Sequence, residues 1–106
     1  MEIEFINSGE EILAKLIGEL DEFTAEHVRL SLDTILDDMA AIGSSTLILD
    51  FSGVTFMDST GIGVLLARYN KFSKHGIKLE IKNATGHIDK ILSMSGIYQI
   101  MPRKVG

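Results

Sequence analysis

Thr46-Leu47-Ile48-Leu49-Asp50-Phe51, followed after a short gap by Thr55-Phe56-Met57-Asp58-Ser59-Thr60-Gly61-Ile62-Gly63, is the stretch that decides the fold. The first run is continuously apolar apart from Asp50, which is the pattern of a strand buried on both faces. After Gly61 the apolar residues Ile62, Leu65, Leu66, Tyr69 and Phe72 recur at helical spacing. The sequence between them is therefore a strand-to-helix corner, reached through a loop over 52–55. Asp58, Ser59 and Thr60 fall at the helix N-terminus, where backbone N–H groups are exposed and the helix dipole is positive.

Outward from this corner, the pattern predicts alternating elements. Ile3 and Phe5 alternate with Glu2 and Glu4 as a short strand, and Asn7-Ser8-Gly9 is a turn signal into a second strand over 11–17. The two read as a hairpin. Gly18-Glu19-Leu20-Asp21 leaves that strand as a loop. Thr24 is placed to cap a helix whose stripe is Ala25, Val28, Leu32, Ile35, Leu36, Met39 and Ile42, stopped by Gly43. Beyond the central helix, which Gly76 closes after Lys74 and His75, Ile77, Leu79 and Ile81 alternate with Lys78, Glu80 and Lys82 as a half-buried strand. Ile88, Ile91 and Leu92 mark a third helix ending at Gly96. Ile97 to Met101 reads as a final short strand, with Pro102-Arg103-Lys104 an exposed tail. The order β-β-α-β-α-β-α-(β) implies an α/β fold with parallel pairing through right-handed crossovers.

Composition narrows the function. A chain of 106 residues, 45% hydrophobic and 24% charged, supports one domain over 1–106 with one core. The formal charge of −5, without a basic cluster, argues against nucleic acid or an anionic membrane as partner. Absent cysteine excludes disulfides, thiol catalysis and thiolate zinc sites. No secretory signal and no run long enough to span a bilayer is visible, so a cytoplasmic domain is expected.

Candidate chemistries fall in turn. His27, His75 and His87 sit on separate elements without metal-ligand spacing. Ser59 lacks a Gly-x-Ser-x-Gly elbow, which argues against a hydrolase. Gly61-Ile62-Gly63 supplies two glycines, but Leu66 stands where a third would complete a dinucleotide fingerprint, and no P-loop lysine follows. The glycines suit close packing of the helix start against the sheet, or exposure of its backbone. A weak anion or nucleotide site at the helix N-terminus stays physically reasonable. What remains is redundancy: Asp58, Ser59 and Thr60 are all cap-competent, and one would suffice. A spare hydroxyl there can accept a phosphoryl group without disturbing the fold, because a helix N-terminus tolerates negative charge.

Phe56-Met57-Asp58-Ser59-Thr60-Gly61-Ile62-Gly63-Val64-Leu65 resembles the signature of bacterial anti-sigma-factor antagonists, the STAS domain family. Gly18-Glu19-Leu20-Asp21 with Thr24-Ala25-Glu26, Arg68-Tyr69, and Met94-Ser95-Gly96-Ile97 resemble further family segments in the same order. The resemblance implies a four- to five-stranded mixed sheet with helices mainly on one face. It implies a non-enzymatic regulator without cofactor, which binds an anti-sigma factor that is also a serine kinase and so frees the sigma factor. Phosphorylation, carried over to Ser59, switches binding off, and a serine phosphatase restores it. Glu19, Asp21, Asp58, Thr60, Gly61, Ile62 and Gly63 are implied partner-facing residues, with Ile62 ahead of Leu65 among the apolar ones. Thr60 stands where many members have a second serine. With no membrane span or sensor segment visible, a free-standing regulator is expected over a transporter tail. A nucleotide- or anion-binding protein, and a STAS scaffold that is never phosphorylated, are the alternatives.

Overall fold

The two apolar runs flanking the corner form one long strand and one helix. The computed structural model describes residues 1–105; Gly106, the last residue of the expected domain, lies outside them. Strand β1 is Glu2–Asn7, β2 is Glu11–Leu20, helix α1 is Ala25–Ile42, β3 is Thr46–Met57, α2 is Ser59–Ser73, β4 is Lys78–Lys82 and α3 is Gly86–Ser95. The sheet runs β1-β2-β3-β4, with β1 antiparallel to β2 and the remaining pairs parallel. The hairpin forms as the turn residues predict: Gly9 takes φ 82°, and its N–H donates to Asn7 Oδ1 at 2.9 Å.

Two expected loops prove to be strand. β3 does not stop at Phe51 but continues through 52–55 to Met57, and β2 continues past Ile17 to Leu20. The register explains why. Lys15 pairs with Asp50 but Ile17 with Gly53, and Gly18 pairs with Val54 but Glu19 with Phe56. At each step β3 holds one residue more than β2, so the Ser52-Gly53 turn signal belongs to a bulged strand. Gly53 is required there, since a Cβ would stand 2.8 Å from the Leu16 carbonyl oxygen.

One face of the sheet carries the core. Ile12, Ala14 and Leu16 of β2, Leu47, Leu49 and Phe51 of β3, and Leu79 and Ile81 of β4 meet the helices there. Val28, Leu32, Ile35, Leu36 and Met39 of α1, Leu65 and Phe72 of α2, and Ile88 and Leu92 of α3 belong to the same cluster. Each of these side chains larger than alanine contributes about 1.5–3 kcal/mol by leaving water. Ile42, placed in the α1 stripe by its spacing, is 55% exposed, on the rim of a cleft that the end of α1 forms with Phe5, Asn7 and Ile12.

A polar clamp fastens α1 to α2. Arg68 is buried and its Nη1 donates to Asp33 Oδ1 at 2.6 Å, while Lys71 reaches the other carboxylate oxygen at 3.2 Å. A carboxylate shared by several cations within helix–helix packing is costly to break from one side, since the remaining buried charge loses its partner.

The chain after α3 departs from expectation. Ile97–Gln99 is one 3-10 turn, not a strand, because Gly96 at φ 80° turns the chain and Ile97 and Met101 enter the core. The supposed exposed tail instead pairs with β4. Ile81 N–H donates to the Pro102 carbonyl at 3.0 Å, and Lys104 N–H donates to the Ile81 carbonyl at 2.7 Å. Arg103 lies over the Tyr98 ring and bonds Asp89 at 3.2 Å, while the Tyr98 hydroxyl donates to the same carboxylate at 2.5 Å. Burial, with the Asp89 hydrogen bond, pushes the Tyr98 phenol up to about 12.

Candidate functional site

The corner is built where β2 and β3 end side by side. Leu20 pairs with Met57, and Asp58 N–H donates to the Leu20 carbonyl at 3.4 Å. Asp58 is extended, at φ −123° and ψ −170°, which turns its carboxylate back over the helix start. Its Oδ1 accepts from Thr60 N–H at 2.9 Å. Its carbonyl accepts from Gly61 N–H at 3.0 Å and from Ile62 N–H at 3.4 Å. Asp58 therefore is the cap, and it satisfies the first-turn donors that would otherwise face solvent.

Ser59, the first helical residue, is exposed and has no part in that capping bond. Thr60 is half-buried and lines a groove of about 390 Å³ between α1 and α2, together with Ala25, Arg29, Val64 and Ala67. The two glycines divide the explanations open to them. A Cβ at Gly61 would stand 2.7 Å from Met57 Cγ and 3.0 Å from Leu20 Cγ, so this glycine seats the helix on the strand ends. Gly63 faces open space, with nothing within 4 Å of its Cβ position. Ile62 is half-buried at the edge of the core, whereas Leu65 is fully buried.

Glu19 and Asp21 come from the adjoining end of β2. Glu19 is not in a loop: it is an exposed strand residue paired with Phe56. Asp21 opens a tight turn and holds it, its Oδ1 accepting from Phe23 N–H at 2.9 Å and from Thr24 N–H at 3.1 Å. Thr24 stands at the N-cap position of α1, but its hydroxyl does not cap the helix. It donates to the Glu19 carbonyl at 2.9 Å and accepts from Asp21 N–H at 3.0 Å, bracing the turn. The expected side-chain cap does not form because the Thr24 hydroxyl is already engaged with Glu19 and Asp21.

Glu19, Asp21, Asp58, Ser59 and Thr60 are thus gathered on two adjacent strand ends, and neither 18–24 nor 52–63 contains a lysine or arginine. Two members of this neighbourhood escape the sequence pattern: Phe23, 86% exposed, and Phe56, 44% exposed. Their signal was available, since neither fits an apolar stripe. His27, His75 and His87 remain apart, and among the described residues no group of three His, Asp or Glu side chains can hold a metal. Also among them, no helix is long and apolar enough to cross a membrane.

A four-stranded mixed sheet, three helices against one face and a strand-to-helix corner capped by Asp58 define a STAS domain: that family's model matches residues 3–105, and the chain belongs to the family. More particularly, it is similar to the anti-sigma F factor antagonist of Paenibacillus polymyxa, at 31% identity over 86% of this chain and 75% of the relative. The fold matches the anti-sigma factor antagonist SpoIIAA in its unphosphorylated form, with TM-score 0.78 and 24% identity over 98% of this chain and 89% of that one. It also matches the Bacillus cell fate determinant SpoIIAA in the phosphorylated form, with TM-score 0.71 and 24% identity over 98% and 92% of the two chains.

Proposed function

We propose that this chain is an anti-sigma factor antagonist of the cytoplasm. Unmodified, it binds an anti-sigma factor that is also a serine kinase, and so releases the sigma factor; phosphorylation of Ser59 ends the binding. The chain catalyses nothing itself. The observation that carries this reading is the division at the corner: Asp58 makes the cap, and the neighbouring Ser59 hydroxyl is exposed. The relatives named above supply the partner class.

The step is a phosphoryl transfer. Ser59 Oγ attacks the γ-phosphorus of ATP held by the kinase, the bond to the bridging oxygen breaks, ADP leaves, and the hydroxyl proton passes to a base on the kinase. The product carries about −1.5 to −2 additional charge beside Asp58. The helix N-terminus stabilises that charge, so the domain stays folded, while nucleotide phosphates still on the kinase repel it. A serine phosphatase restores the hydroxyl by adding water and releasing phosphate. Glu19, Asp21, Thr60, Ile62 and Gly63 belong to the bound surface, and buried Gly61 sets the helix position beneath it.

Incubation with a purified anti-sigma factor kinase from the same organism and ATP, followed by peptide mapping by mass spectrometry, tests the assignment. Phosphate on Ser59 is expected; phosphate on Thr60 alone, or none, rejects it. A nucleotide-binding role finds less support, because Thr60, Gly61 and Ile62 already donate to Asp58. Calorimetry with ATP and GTP checks that second reading, and phosphopeptide analysis of the native protein separates a switch from a scaffold that is never modified.

A further inference from the structure

Phe23 is 86% exposed, more than any other aromatic side chain among the described residues. Its backbone, however, is tightly held. Asp21 Oδ1 binds the N–H groups of Phe23 and Thr24, Thr24 Oγ1 ties to Glu19 and Asp21, and Ala25 N–H donates to the Asp21 carbonyl at 3.0 Å. The ring is therefore presented on a braced pedestal, and a partner that buries it orders little backbone in doing so. Phe56, 44% exposed, lies at the end of the neighbouring strand opposite Glu19.

The surroundings decide what can receive it. Glu19, Asp21 and Glu22 flank the ring in sequence, Asp58 lies across the paired strand ends, and 18–24 and 52–63 supply no cation. A second copy of this chain would oppose like charges, and so would an anionic membrane. We infer that Phe23 is the anchor of the partner interface, inserting into an apolar pocket rimmed by arginine or lysine on the anti-sigma kinase, with Phe56 and Glu19 at its border. The inference rests on the proposed function for the partner's identity but not for the contact. The phosphate-sensitive contact at Ser59 and the aromatic contact at Phe23 are separate parts of one surface, which lets each be removed alone.

The test measures binding of the full chain to a purified anti-sigma factor kinase from the same organism with ADP, for wild type, Phe23→Ala, Ser59→Asp and Met94→Ala. Met94 is 78% exposed and serves as a control for removing a large apolar side chain elsewhere. Phe23→Ala is expected to weaken binding about tenfold or more, mainly through faster dissociation, with Met94→Ala unchanged. Unchanged melting of Phe23→Ala shows that the loss is at the interface. A change within about twofold for Phe23→Ala overturns the anchor. If Ser59→Asp still weakens binding in that case, the proposed function stands without the anchor. If Phe23→Ala weakens binding and Ser59→Asp does not, the anchor stands and the phosphate switch falls. Affinity that drops with added salt supports the basic rim, and affinity independent of salt overturns that part.

Discussion

The molecule contains two strand-to-helix corners side by side, and they use the same residue type to opposite effect. At the first, between β2 and α1, Asp21 and Thr24 are fully engaged with one another and with the turn, and what projects is the ring of Phe23. At the second, between β3 and α2, Asp58 alone takes the first-turn donors, and what projects is the Ser59 hydroxyl. Residue type does not separate a structural polar group from a chemical one; the accounting of donors and acceptors does. One corner presents an exposed aromatic ring and the other an exposed serine, the residue proposed to be modified, and the Asp58 to Leu20 hydrogen bond fixes one against the other.

The largest expected effect breaks the contrast at the second corner. Ser59→Ala should abolish phosphoryl incorporation by the kinase while partner binding persists, as radiolabel transfer and a pull-down would report. Thr24→Ala, which removes the hydroxyl of the first corner, should leave incorporation intact; incorporation into Ser59→Ala would move the site to Thr60. Next come the glycines. Gly61→Ala forces a methyl group against Met57 and Leu20 and should destabilise by about 1–3 kcal/mol in urea unfolding. Gly63→Ala meets open space within a helix and should stabilise by up to about 1 kcal/mol. Equal effects at the two positions would contradict the division drawn between them.

Smaller effects sharpen the comparison. Asp58→Ala should cost about 0.5–2 kcal/mol through the lost cap. Asp21→Ala should cost a similar amount and, unlike Asp58→Ala, raise amide exchange at Phe23 and Thr24, which hydrogen-exchange mass spectrometry reads directly.

Asp50 extends the series as a third backbone-holding aspartate. Burial acts to raise its carboxyl, but hydrogen bonds from Ser52 and Asn83, with Lys15 nearby, hold it below the ordinary range. A depressed carboxyl contributes stability above its ordinary value, about 3.9, and loses it as pH falls through the folded value. Asp50→Asn should therefore flatten the acid limb of a melting-temperature profile. At the alkaline end the sign reverses. The Tyr98 phenol, raised to about 12, contributes stability below its ordinary value and loses it as pH rises through the folded one, which phenolate absorbance follows.

Most of the architecture was legible because apolar period and turn residues agree over long segments, as in α1 and in the β1–β2 hairpin. The bulges of β3 were not, because Ser52-Gly53 carries the composition of a turn, and only the partner strand reveals that pairing continues across it. The final segment misled for a related reason. Ile97 to Met101 is apolar enough for a strand, yet Gly96 turns it into the core, and the polar Pro102–Lys104 does the pairing through backbone alone. At the corner, the surplus of hydroxyls was visible in sequence, but which aspartate frees which neighbour depends on distances. Phe23 carries no mark in the sequence pattern, because an isolated aromatic in a turn belongs to no apolar stripe and only its exposure sets it apart.

The pairing of Pro102–Lys104 with Ile81 has a consequence for the life of the chain on the ribosome. The opposite edge of the sheet, β1, carries Glu2 and Glu4 from the outset, and charges discourage pairing with a stranger. The β4 edge carries Lys78, Glu80 and Lys82 in the same way, and its further cover, Pro102–Lys104, follows all four strands and all three helices in chain order. Until that segment pairs, the β4 edge of a nascent domain is open as the β1 edge is, and the segment after the 3-10 turn acts as a stitch that closes this side to neighbouring chains.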